Sequence, residues 1–190
     1  MKKSQSNTNI FNNIHFADTK LVEGEYEEYT FSVCDFSHVD LSNIIFTDCI
    51  FIECNFSMTK TNNTGLRNIQ FKDCKILGIH FDYCKQLLFE VSFDRCVINL
   101  SSFYKMKLKN THFINSTLHE VDFVEADLTN AIFDNCDMLK SVFENTVIEN
   151  ADFRTSYNYS IDPEINRIKK AKFSLPGISG LLDKYDIEIE

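Results

Sequence analysis

In 190 residues the chain has no tryptophan, only two prolines and only five glycines, set against eighteen phenylalanines. That balance is odd for a conventional globular domain. No run approaches the roughly 18 apolar residues that span a bilayer, and the stretch Met1–Asn9 is polar. No membrane segment and no membrane partner is therefore expected. Basic charge is also scarce, with 19 Lys and Arg against 28 Asp and Glu, a net charge of −9. A passive nucleic-acid binder needs a basic face, so direct nucleic-acid binding is disfavoured. Neither GxGxxG, a P-loop, HExxH nor GxSxG occurs, and no nucleophile, base and orienting residue can be assembled. The expectation is a protein that is not an enzyme, with no catalytic residues, cofactor or metal. Cysteine is present but unpatterned for disulfides: seven is an odd number with no framework spacing. Free thiols in a reducing compartment follow, and hence a cytoplasmic location.

What the chain does contain is a period of five. From Phe93 to Phe153 every fifth residue is large and apolar, through Ile98, Phe103, Leu108, Phe113, Leu118, Phe123, Leu128, Phe133, Met138, Phe143 and Ile148. Two residues before each sits a smaller or slimmer one, such as Cys96, Ser101, Thr111, Ala126 and Ala151. A helix would repeat every ~3.6 residues and a plain strand every ~2. The same period runs from Phe11 to Phe81 in a shifted frame, with Thr61 as its one polar member. Two extra residues between Phe81 and Phe93 place a bulge near Gln86–Phe89.

This series resembles the pentapeptide-repeat family over residues 9 to about 156. The resemblance implies an all-β solenoid, a right-handed quadrilateral β-helix in which each pentapeptide forms one side and twenty residues make a coil. Residues twenty apart agree with that coil. Allowing for the bulge, one column reads Phe11, Phe31, Phe51, Phe71, Phe93, Phe113, Phe133, Phe153, and the next inner slot reads Ile14, Cys34, Cys54, Cys74, Cys96, Ser116, Cys136. About seven coils at the ~4.8 Å strand spacing make a rod roughly 35 Å long. Three segments are expected: a flexible N-terminus at 1–8, the β-helix at 9–156, and a C-terminal cap and dimerisation segment at 157–190. The stretch Thr59–Gly65 fits the repeat least well, either as a side that bulges locally or as an exposed loop that contacts a partner. Asp162 and Pro163 read as the start of a short helix carrying Ile165 and Ile168 on one face. Ala171, Lys172 and Phe173 restore the repeat and are expected to lay a last side over the open end. From Pro176, Ile178, Leu181, Leu182 and Tyr185 fall at helical spacing, and Ile187 and Ile189 alternate as a strand would. Such caps protect the open edge of a solenoid.

All seven cysteines (Cys34, Cys49, Cys54, Cys74, Cys84, Cys96 and Cys136) fall in the small inner slot, where Cys acts as a small hydrophobe. The five histidines fall at outward positions. Charge is ordered along the chain. Asp18–Glu53 carries nine acids and one base, Asn55–Lys109 four acids and nine bases, and Glu120–Asp152 nine acids and one base. The order is either incidental solvation or an imitation of the phosphate array of DNA, which carries a charge every ~1.7 Å.

Within the resembling family, the quinolone-resistance (Qnr) proteins are dimeric rods similar to B-DNA in shape and charge that bind DNA gyrase or topoisomerase IV. The tail Leu181–Ile189 looks like their C-terminal dimerisation helix. The resemblance implies a homodimer interface at Ile178, Leu181, Leu182, Tyr185, Ile187 and Ile189. It also implies an acidic partner surface at Glu120, Asp122, Glu125, Asp127, Asp134, Asp137, Glu144, Glu149 and Asp152. Two functions are carried forward: an interaction rod with an unidentified protein partner, or a DNA mimic that binds a type II topoisomerase and gives quinolone tolerance.

Overall fold

The computed structural model describes residues 9–188. The expected N-terminal segment 1–8 and Ile189 lie outside the described residues. Within them the five-residue period becomes a four-sided solenoid. Side one is a seven-stranded parallel sheet built from Asn9–Asn12, Tyr29–Ser32, Ile50–Ile52, Ile69–Lys72, Val91–Asp94, His112–Ile114 and Ile132–Asp134. Side four begins as a three-stranded sheet of Glu25–Glu27, Ile45–Thr47 and Gly65–Arg67. Sides two and three are ladders of single parallel bridges, such as Asp35 to Asn55 to Lys75 and Ser102 to Asp122 to Val142. Register advances by twenty residues per coil, as in Phe31 opposite Phe51. It advances by twenty-two where Ile69 faces Val91, which places the extra residues at the expected bulge.

A side this short needs a sharp corner. From Asn43 to Asn150 a left-handed residue supplies it, with φ between 50° and 65°, two past the large position everywhere but after Phe81, where Phe81–Tyr83 forms a 3₁₀ turn. Asparagine and aspartate tolerate that region best, and asparagine is the commonest corner residue. The bulky Met58, Leu88 and Leu100 take it as well, held there by hydrogen bonds to the next coil such as Met58 N–H to Leu77 C=O at 2.8 Å.

Side one carries an unbroken aromatic column. Phe11, Phe31, Phe51, Phe71, Phe93, Phe113, Phe133, Phe153 and Phe173 stack with ring centroids 4.6–5.4 Å apart and planes within 15° of parallel. Each stacked pair contributes about 0.5–1.5 kcal/mol beyond burial. A second column changes side. In the N-terminal half Phe16, Phe36 and Phe56 stack on side two. In the C-terminal half Phe81, Phe103, Phe123 and Phe143 stack on side three.

The changeover falls on Thr59–Gly65, and the structure overturns both expectations for that stretch. It neither bulges nor forms an exposed loop. Thr59, Thr61 and Thr64 are buried, and their hydroxyls donate to the carbonyls of Phe36, His80 and Leu41 at 2.7–2.8 Å. A polar residue is stable inside when its hydrogen bond is made. A void of about 20 Å³ lined by Leu41, Phe46, Phe56, Thr61, Thr64 and Phe81 marks where neither aromatic column is complete.

The C-terminal helices differ from expectation. No helix forms over 162–168; pairing crosses residue 156, with Val147 bridged to Arg167 and Asp152 to Lys172. Asp162 caps a turn instead, its Oδ1 accepting from Glu164 N–H at 2.8 Å. Asn166 fills the inner slot and bonds Phe143 C=O and Thr146 N–H. Beyond Phe173 the cap is two 3₁₀ segments, Pro176–Leu181 and Asp183–Tyr185, rather than one α-helix. Gly177 and Gly180 lower α-helical propensity there, and Tyr159 lies so close that a side chain on either glycine would collide with it. No strand follows at Ile187.

Candidate interaction surface

The nine acids predicted as one surface form a ring around the rod rather than a face. Asp134 and Asp152 lie on side one, Asp137 on side two, Asp122 and Glu144 on side three, and Asp127 and Glu149 on side four. Glu120 and Glu125 occupy the left-handed corners that flank side three. A strand alternates faces every residue and a solenoid turns a corner every five, so acids adjacent in sequence part company in space.

Cations neutralise much of the ring. Lys105 lies 3.5 Å from Glu125 and Lys109 3.2 Å from Asp127, each reaching up from the basic middle of the rod. Arg167 pairs with Glu149 at 2.7 Å, Arg154 and Lys172 approach Asp152 at 2.7 and 3.8 Å, and the His119 ring, charged only when protonated, lies 2.9 Å from Asp137. Asp134 accepts from the Thr155 hydroxyl at 2.8 Å. Partial burial opposes the charge of Asp127, but hydrogen bonds from Thr129 and the nearby Lys109 hold its carboxyl below the usual range. Burial likewise opposes the charge of Asp137, and hydrogen bonds from His119 and Asn158 overcome it. The Arg154 guanidinium holds Asp152 low. Among the described residues, four of the nine acids have no cation within ion-pair distance: Asp134 on side one, and Glu120, Asp122 and Glu144, which belong to side three or its leading corner. Glu120, Asp122 and Glu144 make that side of the C-terminal half the most persistently negative part of the ring, with Glu125 paired to Lys105 beside them.

At the N-terminal end Arg67 reaches across two coils to Glu25 at 3.1 Å, so the acidic first block is also partly compensated from the middle.

The inner slot is lined by buried thiols. All seven cysteines are free and buried. Six of the thiols, all but Cys84, donate to carbonyls of the adjacent coil, as Cys54 Sγ does to Phe31 C=O at 3.4 Å and Cys136 Sγ to Phe113 C=O at 3.3 Å. Burial pushes the Cys84 thiol up to about 12 and Cys136 up to about 11, so neither is a thiolate nucleophile at neutral pH. Among the described residues, no group of three His, Cys, Asp or Glu side chains could hold a metal ion, and no helix is long and apolar enough to cross a membrane.

Of the expected dimer residues, Leu181 and Leu182 are half-buried, while Ile178, Tyr185 and Ile187 are exposed. The cap is tied to its own coil by Lys184, which bridges Asp162 and Glu164 at 2.8 and 2.7 Å, and by the Tyr185 hydroxyl, which donates to Glu164 at 2.9 Å. Ile161 N–H donates to Gly180 C=O at 2.9 Å. Sequence reasoning missed Leu175, the most exposed apolar side chain of the tail at 85%. It also missed Tyr159, buried beneath Gly177 and Gly180. Two glycines three apart inside an apolar stripe were the available signal.

The fold has known counterparts. A trypsin-treated variant of QnrB1, a plasmid-mediated fluoroquinolone resistance protein, superposes with a TM-score of 0.65 at 16% identity over 96% of this chain and 98% of that one. A second trypsin-treated QnrB1 variant gives 0.64 at 17% over the same shares. HetL, a pentapeptide-repeat protein involved in heterocyst differentiation regulation from the cyanobacterium Nostoc, gives 0.53 at 11% over 87% and 84%. At these identities the likeness is one of fold. Comparison with curated protein sequences gave no match. Two family profiles do match, "Pentapeptide repeats (8 copies)" over residues 31–60 and "Pentapeptide repeat region" over residues 86–157. Together they span more than half of a chain whose coils step by twenty residues, and the protein belongs to the pentapeptide-repeat family.

Proposed function

We propose that this protein is a non-enzymatic interaction rod that binds a protein partner through side three of its C-terminal half. The observation that carries the reading is the set of uncompensated carboxylates at Glu120, Asp122 and Glu144, beside Glu125, on a scaffold held rigid by stacked rings. Rigid elements present charge with little ordering cost on binding. The partner presents a basic surface, because complementary potentials steer and orient association. Pull-down with purified protein, compared against a Glu120→Lys, Asp122→Lys, Glu144→Lys variant, tests this. A partner that binds both equally would end the proposal.

A second reading makes that partner a type II topoisomerase, whose DNA-binding surface the acidic side would engage. The fold likeness to QnrB1 across nearly the whole chain supports it. The reading also has the C-terminal residues Ile178, Leu181, Leu182, Tyr185 and Ile187 joining two rods as a homodimer, which would bring two acidic rings together. A DNA gyrase supercoiling assay with and without a quinolone is the test. Inhibition or protection is expected at micromolar protein, and neither effect would exclude this partner. Light scattering checks the dimer: twice the monomer mass is expected, and a Leu181→Asp, Leu182→Asp variant should run as a monomer. A monomeric intact protein would leave the segment as a cap of its own coil.

A further inference from the structure

The first coil does not close against the second along side three. Coils two and three are joined at this position: Lys60 N–H donates to Val39 C=O at 2.9 Å and Leu41 N–H to Lys60 C=O at 2.9 Å; between coils three and four the Thr61 hydroxyl takes His80 C=O in place of a backbone bond, and the corner bonds remain. Corner amides add Asn43 N–H to Asn62 C=O at 3.1 Å and His38 N–H to Ser57 C=O at 3.0 Å. The equivalent bonds from coil one to coil two are missing. Among the described residues, Asp40 N–H and the carbonyls of Ser37, Asp40 and Ser42 have no partner. The cause is local. Asp18 and Thr19 N–H both turn back to His15 C=O at 3.2 Å, which lifts the chain away from its neighbour. The Tyr26 hydroxyl holds Val22 C=O at 2.9 Å, and the coil rejoins at Gly24, whose carbonyl accepts from Ile45 N–H at 3.0 Å. A cleft of about 640 Å³ remains between residues 16–23 and 37–44.

One wall of this cleft is thus an open parallel β-edge with one donor and three acceptors in strand register. Its floor is apolar, from Phe16, Leu21, Val39 and Ile44. Its rim carries Glu23 and Asp40 with Lys20, and it lies in the Asp18–Glu53 block of nine acids and one base. An unpaired edge is a template for another strand, and strand addition gives affinity through main-chain hydrogen bonds and specificity through alternate side chains. We infer that this cleft is a peptide-binding site that takes an extended basic segment of a partner protein as an added parallel strand. Backbone groups of the segment pair with Ser37, Asp40 and Ser42, its inward side chain is apolar, and its outward side chains are Lys or Arg. The site is at the opposite end of the rod from the acidic surface of the C-terminal half and does not depend on that reading.

The test uses the full chain, isotope-labelled for NMR, and a synthetic heptapeptide alternating lysine with valine and leucine. Saturating peptide should slow exchange of the Asp40 amide at least tenfold. The same peptide N-methylated on alternate residues, which cannot donate to the three carbonyls, should bind at least fivefold more weakly. A Glu23→Gln, Asp40→Asn variant should weaken binding of the unmethylated peptide in a salt-dependent way. An unchanged Asp40 amide, equal binding of methylated and unmethylated peptide, or shifts confined to Glu120–Glu144 would each overturn the site.

Discussion

The two halves of the rod bury the same lumen with different columns. Both use the phenylalanines of side one, but the N-terminal half adds Phe16, Phe36 and Phe56 on side two, and the C-terminal half adds Phe81, Phe103, Phe123 and Phe143 on side three. Where side two is aromatic, side three holds Leu41 and Thr61; where side three is aromatic, side two holds Ile98, Leu118 and Met138. The lesson is one of volume. Among the described residues sides two and three never both carry rings in one coil, although coils one and two admit a third ring on side four, where Tyr26 stacks on Phe46; interiors packed to crystal-like density leave no room for a fourth. Changing sides costs one imperfect coil, where three threonines replace apolar contact with hydrogen bonds and a small void survives.

The largest effect should come from breaking the shared column. Phe113 stacks on rings on both sides at 5.2 and 4.8 Å and is fully buried. Phe113→Ala should cost ~3–5 kcal/mol by cavity formation, read by urea unfolding. Phe11, half-buried with a stacked column neighbour at Phe31, should cost less than Phe113 when replaced by Ala. Equal losses would contradict both the burial and the two-sided stacking assigned to Phe113.

The changeover coil gives the next largest effect. Thr61→Phe would continue the side-three column from Phe81, but the void of about 20 Å³ is far too small for a ring. Over-packing should destabilise by ~1–3 kcal/mol, and a stabilised variant would refute the rule that sides two and three are not both aromatic in one coil. Thr64→Val keeps shape but strips the hydrogen bond to Leu41 C=O, for a loss of about 1–2 kcal/mol.

The smallest effect concerns pH. Asp35 in the N-terminal half and Asp137 in the C-terminal half are both held below the usual carboxylate range, with burial opposing and hydrogen bonds prevailing: Ser37 and His15 for Asp35, His119 and Asn158 for Asp137. A depressed carboxyl adds stability that is present above its unfolded value near ~3.9 and is lost as pH falls through its folded value. Asp137 has the closer histidine, at 2.9 Å against 3.6 Å, and is less exposed. Asp137→Asn should therefore flatten the loss of stability between about pH 5 and 2, and more than Asp35→Asn does. The reverse order, in urea titrations at several pH values, would contradict the assigned causes.

Much of this architecture is written in the period of five. The Phe column, the inward cysteines and the two-residue bulge follow from counting, because parallel in-register stacking forces residues twenty apart to meet. The charge pattern was less legible. Read along the chain it is three blocks, but Lys105 meets Glu125 and Lys109 meets Asp127 only once the coil is closed, and Glu25 meets Arg67 two coils away. The candidate surface therefore shrank from nine acids to the few on side three. The opening at coil one was invisible, since Leu21 keeps the frame while the backbone around it departs from the ladder. The cap was misread because its apolar spacing suits an α-helix, whereas Tyr159 and two glycines set a tighter path.

The most direct test of the account is whether partner binding follows side three rather than net charge. The Glu120→Lys, Asp122→Lys, Glu144→Lys variant and a side-one control, Asp134→Lys with Asp152→Lys, should be compared in quantitative pull-down at matched ionic strength. The account predicts that the side-three variant loses the partner and the side-one control keeps it. Loss scaling only with the number of charges reversed, or retention by both, would contradict it.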